Sequence, residues 1–508
     1  MTTWNTEHPF APHAAFDGGD LDCGNGLLLL IRKNIDPLDG GQVLEVRSTD
    51  STVEVELPAW CRLTGNELVS ATKAGGVRSY LIRKRGETRS AERGVRNEIP
   101  PAPTTAGSAF RAPHSALPTP LPPFAVMGVG SWPRPAWLLR ALHERLSGRL
   151  GEDEFQQYAD DAVRLAVAAQ ERAGVDVITD GEQRRDNYAS FVGGRLDNCQ
   201  LIPISDLLPY VTDPDEFAEE LRSLDVPADE VRHPAVFGKI GRSKPIAVHE
   251  LQRVRRFTSK PVKIALPGPY LLTRTMWLEC VADKAYPTRE ELAADVVKVL
   301  REELAELLAE GAAVVQFDEP VLTEVVFTRP NAGGRSFMCG ALGEKKDTTS
   351  ELEFAGELLR AVFAGFPKER LALHVCRGNW SRDESVALSG PYTPLIPLLR
   401  TLPVGTFLLE MATPRAGELE PLRDLPPGSR IGLGCVNQKL DRVEAVETVV
   451  QRVEAAVSLL GPDRVFLNPD CGFATFADNP LASADVAEGK LGAIVHAARL
   501  LRAKHSHG

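Results

Sequence analysis

His374 and Cys376 stand two residues apart at the end of an apolar run, LALHV followed by Cys376. Strand alternation turns residues i and i+2 to the same side, which suits two ligands of one ion. Imidazole, thiolate and carboxylate are all good zinc donors, and thiolate argues against Ca²⁺ or Mg²⁺. Alone, a His-x-Cys pair reads first as core residues, since both types are common in interiors. Glu410 alone reads equally well as a solvated charge at a strand end. Their companions reverse that weighting. Apolar runs recur along the chain, and almost every one is followed at once by polar or metal-capable groups: Gly130-Ser131-Trp132-Pro133, Asp180-Gly181-Glu182-Gln183-Arg184-Arg185-Asp186, Asp318-Glu319-Pro320, His374 with Cys376, Glu410, and Asn468-Pro469-Asp470-Cys471-Gly472. His374, Cys376, Glu410 and Cys471 thus form a set fitted to one Zn²⁺, drawn from three separate strand ends. No C-x2-C pair of a structural zinc site is present, so the spacing fits an ion placed for catalysis. A thiol is a nucleophile as thiolate, and a coordinating metal deprotonates it. The expected chemistry is therefore attack by an activated thiol.

Elements must bring these groups to one rim. The apolar runs fall at 124–129, 175–179, 262–266, 313–317, 371–375, 405–409, 431–434 and 464–467. Amphipathic helical stretches lie between them at 153–173, 289–310, 349–366, 395–402 and 442–460. Apolar strands alternating with helices imply parallel strands buried on both faces. Eight such units predict an α/β fold, a (β/α)8 TIM-type barrel, whose active site lies where the strands end. The alternative is an open doubly wound sheet, but the first strand-to-helix turn lacks G-x-G-x-x-G. The stretch 187–260 is long for one unit and predicts extra structure.

The chain has 508 residues, too many for one ordinary core. Residues 86–123 carry eight prolines between Pro100 and Pro123 and show no period, which marks a linker between domains at 14–85 and 124–508. The small unit predicts an α+β domain: strands at 14–16, 43–48 and 79–83, helices at 25–35 and 57–70, the helices on one face of the sheet. A net charge of −11 argues against nucleic acid or an anionic membrane as partner. No apolar run reaches the length of a membrane span, and the first ten residues do not read as a secretory signal. Eight dispersed cysteines do not make a disulfide framework. A cytoplasmic location is expected.

The strings LHVC (373–376), LLEMATPRAGEL (408–419) and NPDCGF (468–473) resemble the zinc-binding segments of cobalamin-independent methionine synthase. VGSWP (129–133), DGEQRRD (180–186) and FDEPVL (317–322) resemble its substrate segments, in the family's order. The resemblance covers most of 124–490. It implies the barrel, zinc bound by His374, Cys376, Glu410 and Cys471, and homocysteine held at its amino-acid end by Ser131, Glu182 and Asp318. Two carboxylates beside a substrate ammonium make physical sense, although Asp318-Glu319-Pro320 can also serve only to end a strand. The implied reaction is methyl transfer to the zinc-bound thiolate, with Glu410 the ligand expected to loosen. The chain departs from the folate-using members in three ways. It carries no additional N-terminal barrel, and so looks more like the short, core-only members, whose methyl donor can be a corrinoid protein rather than a folyl-polyglutamate. The acid/base histidine of a G-x-x-D-x-H-S-P-R segment falls on Lys439 in GCVNQKLDR (434–442). Trp277 lies close to, but not on, the aromatic position associated with the pterin.

FDGGDLDCGNGLLLLIRK (16–33), GQVLEVRSTD (41–50) and YLIRK (80–84) resemble a TusA/SirA-like sulfur carrier. In that family a cysteine opening the first helix carries a persulfide, an anion favoured by free N–H groups at a helix start. Cys23 holds that place, but Cys23-Gly24-Asn25-Gly26 lacks both prolines of the family's Cys-Pro-x-Pro. Three functions follow. The first is methyl or alkyl transfer to a zinc-activated thiol, with homocysteine giving methionine. The second is a C–S bond-forming sulfurtransferase, in which a persulfide donor protein loads Cys23 and Cys23 delivers sulfur to the barrel. The third is a non-catalytic sulfur-relay scaffold, in which the small domain only docks partners.

Overall fold

In a computed structural model of the chain, the described residues are 4–21, 27–35, 37–64, 66–85, 121–146, 148–203, 232–277, 285–327 and 347–505. They divide into an N-terminal unit and a large unit.

The N-terminal unit is a five-stranded sheet. Its strands are β1 (Trp4–Asn5), β2 (Ala14–Asp17), β3 (Val43–Ser48), β4 (Glu67–Ala74) and β5 (Val77–Arg83), in the order β1-β4-β5-β3-β2. Two helices, Leu28–Ile35 and Val53–Thr64, pack Ile31, Ile35, Val53, Leu57 and Trp60 against Leu44, Val46, Tyr80 and Ile82 of the sheet. That is the expected α+β layering. One expectation fails: 57–70 is not one helix. The helix starts earlier, after the Asp50 turn whose carboxylate accepts from Thr52 N at 2.8 Å, and ends before Gly65-Asn66. Gly and Asn are helix stop signals, and Leu68 and Ser70 belong to β4, paired with Ile82 and Leu81. Cys23 lies outside the described residues.

In the large unit, β8 (Lys263–Pro267), β9 (Val314–Asp318), β10 (Leu371–Val375), β11 (Thr406–Leu409), β12 (Arg430–Val436) and β13 (Val465–Pro469) form one parallel sheet, in the order β13-β12-β11-β10-β9-β8. Every residue of β8, β9, β10, β11 and β13 is buried, as strands covered on both faces require. Parallel bridges pair Val126 with Leu467 of β13, Met127 with Val177, and Ile178 with Val262 just before β8. The two remaining apolar runs therefore lie between the two ends of the sheet. Within 187–260 an antiparallel pair, β6 (Asp197–Pro203) and β7 (Arg232–Gly241), supplies the extra structure.

Helices Glu152–Ala173, Arg289–Ala309, Thr348–Phe363, Val446–Leu460 and Ala484–His505 cover the strands. Their termini are written in the sequence. Glu152, Asp153 and Glu154 meet the positive end of the first, and Gly174 closes it at φ 89°. Thr288 and Asp347 cap the next two by accepting backbone N–H bonds. The helix expected over 395–402 shrinks to Ile396–Leu399, preceded by a 3₁₀ turn. The one expected from 442 starts at Val446. Among the described residues, no helix is long and apolar enough to cross a membrane.

Candidate functional site

Parallel order brings all the strand ends to one rim. Asp318 is the last residue of β9 and is in register with His374 of β10. Cys376 follows β10 directly, Glu410 follows β11, and Cys471 lies two residues beyond β13. His374, Cys376 and Cys471 each point one ligand atom into a common space, all within 4.8 Å of one another. The two sulfurs are 3.9 Å apart. His374 Nδ1 is 2.9 Å from Asp318 Oδ1, while its Nε2 is buried with no hydrogen-bond partner. A buried imidazole nitrogen without a partner, facing two thiols, fits a zinc ion, and the carboxylate on Nδ1 is the usual support for a metal-binding histidine.

Without a metal the site holds an imidazolium beside a thiolate, and a bound cation would take the place of the ring proton. Burial opposes charge on His374, but the Cys376 thiol and the Asp318 carboxylate outweigh it and push the imidazole up to about 10. The hydrogen bond from Cys471, with His374 helping against burial, holds Cys376 well below the usual thiol range. Cys471 rises as the other half of the pair.

Glu410, fully buried, is not in this group of three. Its Oε2 accepts from Arg377 N at 3.0 Å and Asn379 Nδ2 at 2.7 Å, and its Oε1 pairs with Arg415. The site thus offers three donors together and a fourth carboxylate held nearby by its own partners.

Ser131, Glu182 and Asp318 line the same cavity as His374, Cys376 and Cys471. Close approach fixes the glycines there. A Cβ on Gly130 would collide with the Glu182 carboxylate, and one on Gly472 with Ser131 Oγ. Glu182 has φ 54°, the left-handed region, and its carbonyl accepts from Arg134 Nη2 at 2.7 Å. Burial, with help from Asp318 and Asp180 against the Arg185 charge, pushes Glu182 up to about 7.

Residues 124–499 match the family described as the catalytic domain of cobalamin-independent synthase. The chain belongs to that family. Residues 26–84 match sulfurtransferase TusA, so a TusA domain precedes the catalytic one. The methionine synthase of Sulfurisphaera tokodaii is 27% identical over 354 residues, covering 69% of this chain and 86% of the relative. That of Pyrococcus abyssi is 26% identical over 383 residues, 75% and 94% of the two chains. In three dimensions the chain is similar to a B12-independent methionine synthase from Shewanella sp. W3-18-1, with TM-score 0.58, 23% identity, and coverage of 76% of this chain and 100% of that one. The last likeness speaks for the fold alone. Family membership makes the chain an enzyme of the methyltransferase type.

One feature of the cavity was not read from the sequence. Tyr188, Trp380 and Phe476 form aromatic wall around the cavity. They come from loops after the strands, where no period signals them. Lys439, by contrast, does not line the cavity. Its side chain is 1% exposed, with Nζ 3.8 Å from Glu384 and no hydrogen-bond partner. Burial and the Arg415 charge push it down, opposed by Glu384, Glu410 and Cys471.

Proposed function

We propose that this chain transfers a methyl group to a zinc-activated thiol, with homocysteine as the thiol and methionine as the product. The observation that carries the reading is one cavity holding two thiols and an unpartnered imidazole nitrogen at one end and Ser131, Glu182 and Asp318 beside them. An amino acid with a short thiol side chain meets both halves at once. His374, Cys376 and Cys471 would hold the zinc, with Glu410 a fourth ligand once it leaves Arg415. When bound, zinc supplies a Lewis acid that keeps a thiol ligand deprotonated near neutral pH. Glu182 and Asp318 hold the ammonium and so fix the sulfur's position. Ser131 offers a hydroxyl to the carboxylate end. Tyr188, Trp380 and Phe476 keep water from the reacting sulfur, which raises the strength of every charge interaction inside. Lys439 stands where the folate-using enzymes carry their acid/base histidine, and we assign the methyl donor to a class that leaves without needing a proton from that position, such as a methylated corrinoid. The bridges at 126, 177 and 262 support a sheet that closes as an eight-stranded barrel around this site.

The TusA match over residues 26–84, just after Cys23, favours a second reading, in which the outer sulfur of a Cys23 persulfide displaces a leaving group from an activated carbon and an external thiol then cleaves the S–S bond to release the product thiol. One experiment tests the first. Purified protein is assayed for zinc and for methionine formation from homocysteine with methylcobalamin or methyl-tetrahydrofolate. The reading expects about one zinc per chain in the wild type, its loss in Cys471→Ala, and methionine from the corrinoid donor. Unchanged zinc in Cys471→Ala overturns the site, and no methionine from either donor overturns the reaction.

A further inference from the structure

Beneath the cavity a buried polar column leads to Asp318, and its first two members have no place in the chemistry described above. Gln316 and Asp318 are two apart on β9 and share a face, and Lys263 opens the neighbouring strand β8. All three are buried, Lys263 with 1% and Gln316 with 0% exposure, and neither Lys263 nor Gln316 lines the cavity. Lys263 Nζ donates to Gln316 Oε1. Gln316 Nε2 donates to Asp318 Oδ1 at 2.7 Å, the same oxygen that meets His374 Nδ1 at 2.9 Å.

The polarity of this column runs one way. In its charged form Lys263 has only donors, so it faces the amide oxygen. That turns the amide NH₂ toward Asp318, which accepts. The same carboxylate oxygen then needs a hydrogen on His374 Nδ1, so in the neutral ring that a metal requires the lone pair is on Nε2, the atom with no hydrogen-bond partner. If the Gln316 amide flipped, two acceptors would face each other at hydrogen-bond distance. Burying a lysine is expensive. Burial pushes Lys263 down to about 7, while Asp318 and Glu182 pull the other way. An apolar residue would fill the position at less cost, so the buried amine calls for a role.

We propose that Lys263 and Gln316 are positioning residues for the metal centre, orienting Asp318 so that His374 is held with its Nε2 lone pair facing the two thiols. The inference rests on the zinc reading of that site. It differs from a simple charge-balancing role, in which Lys263 only neutralises Glu182 and Asp318 and the identity of residue 316 does not matter.

The test is a chelator competition that measures zinc affinity of the full chain, wild type against Lys263→Met, Gln316→Met and the double variant. Supporting residues around a metal ligand typically contribute 10- to 100-fold in affinity, and about that loss is expected in each single variant. Members of one column are not additive, so the double variant should lose no more than the weaker-binding single. The Co²⁺-loaded proteins should show the same order as shifted visible ligand-field bands, a readout independent of turnover. Wild-type affinity in either folded single variant, or losses that multiply in the double, overturns the proposal and leaves the zinc site standing. A wild type that binds no zinc overturns the zinc reading itself. Should the variants fail to fold, ¹⁵N-histidine spectra of the zinc-loaded wild type decide: Nδ1–H with metal on Nε2 of His374 is expected, and metal on Nδ1 overturns the proposal.

Discussion

Glu182 occupies a backbone conformation, φ 54°, that a residue with a Cβ adopts only when its surroundings enforce it. Here Glu182 N donates to Asp180 Oδ1 at 2.9 Å, and Arg134 donates to the Glu182 carbonyl. These bonds aim the carboxylate over Gly130, into a space that admits no side chain there. Gly130→Ala should therefore raise KM for the thiol substrate by about tenfold or more, the scale on which misplaced substrate groups are felt, while zinc content stays at the wild-type level; steady-state kinetics beside metal analysis check both. The pH dependence has a definite sign. Glu182 titrates at about 7 because burial disfavours its charge, and only the ionised form attracts an ammonium. Affinity for an amino-acid thiol should rise between pH 6 and 8, and Glu182→Gln should flatten that rise in a binding titration. At this scale much was legible. His374, Cys376 and Cys471 were read from type and position, and they converge. The engagement of Glu410 by Arg377, Asn379 and Arg415 was not, because those partners come from loops whose course no periodicity encodes.

Strands and helices translate adjacent residues into opposite duties. In Asp318-Glu319 the first carboxylate enters the cavity, and the second turns away to the start of the helix Pro269–Met276. There Glu319 accepts from Tyr270 N at 2.8 Å and Leu271 N at 3.0 Å. A Cβ on Gly268 would strike that carboxylate, so the glycine before the helix is required for the cap. Sequence reading took the segment either as substrate-binding or as a strand-ending turn. It is divided between the two, since alternation separates neighbours that one string joins. Burial, against the bonds from Tyr270 and Leu271, pushes Glu319 up to about 8 from 4.5. A folded-state pKa above the unfolded one means that the folded protein holds an extra proton between these values. The stability this gives is full below about 4.5 and is lost as pH rises through about 8. Glu319→Gln keeps an acceptor for the helix start and removes the titration. The thermal midpoint of the wild type should thus fall relative to Glu319→Gln as pH goes from 5 to 8, and a scan of both proteins across that range reads it. Element boundaries were the weak part of the sequence reading. The span 57–70 joined a helix to the next strand because Leu68 and Val69 continue its apolar pattern across Gly65-Asn66.

At the scale of the whole molecule, the two units keep separate cores. The small core draws on residues such as Ile31, Leu57, Tyr80 and Ile82, and the large one begins at Phe124 and runs to Leu501. No buried apolar residue of one is a member of the other among those described, so each unit carries its own reason to fold. That makes the two functional readings separable without any assumption about how the units are arranged. If methyl transfer is complete within the large unit, residues 121–508 alone should bind zinc as the full chain does and should restore growth of a methionine auxotroph lacking its own synthases. Full-length Cys23→Ser should restore growth equally. If instead the reaction is sulfur delivery by Cys23, the wild-type chain itself should fail to restore growth, since no methyl group is supplied, and mass spectrometry of the full chain after treatment with a persulfide donor should find the added sulfur on Cys23. The cavity favours the first outcome. The proposed metal ligands and the carboxylates proposed to hold the ammonium all come from residues between 182 and 471, and the roles proposed for them do not involve Cys23. Loss of growth on deleting residues 1–120, with zinc retained, would instead make the TusA domain necessary to methyl transfer.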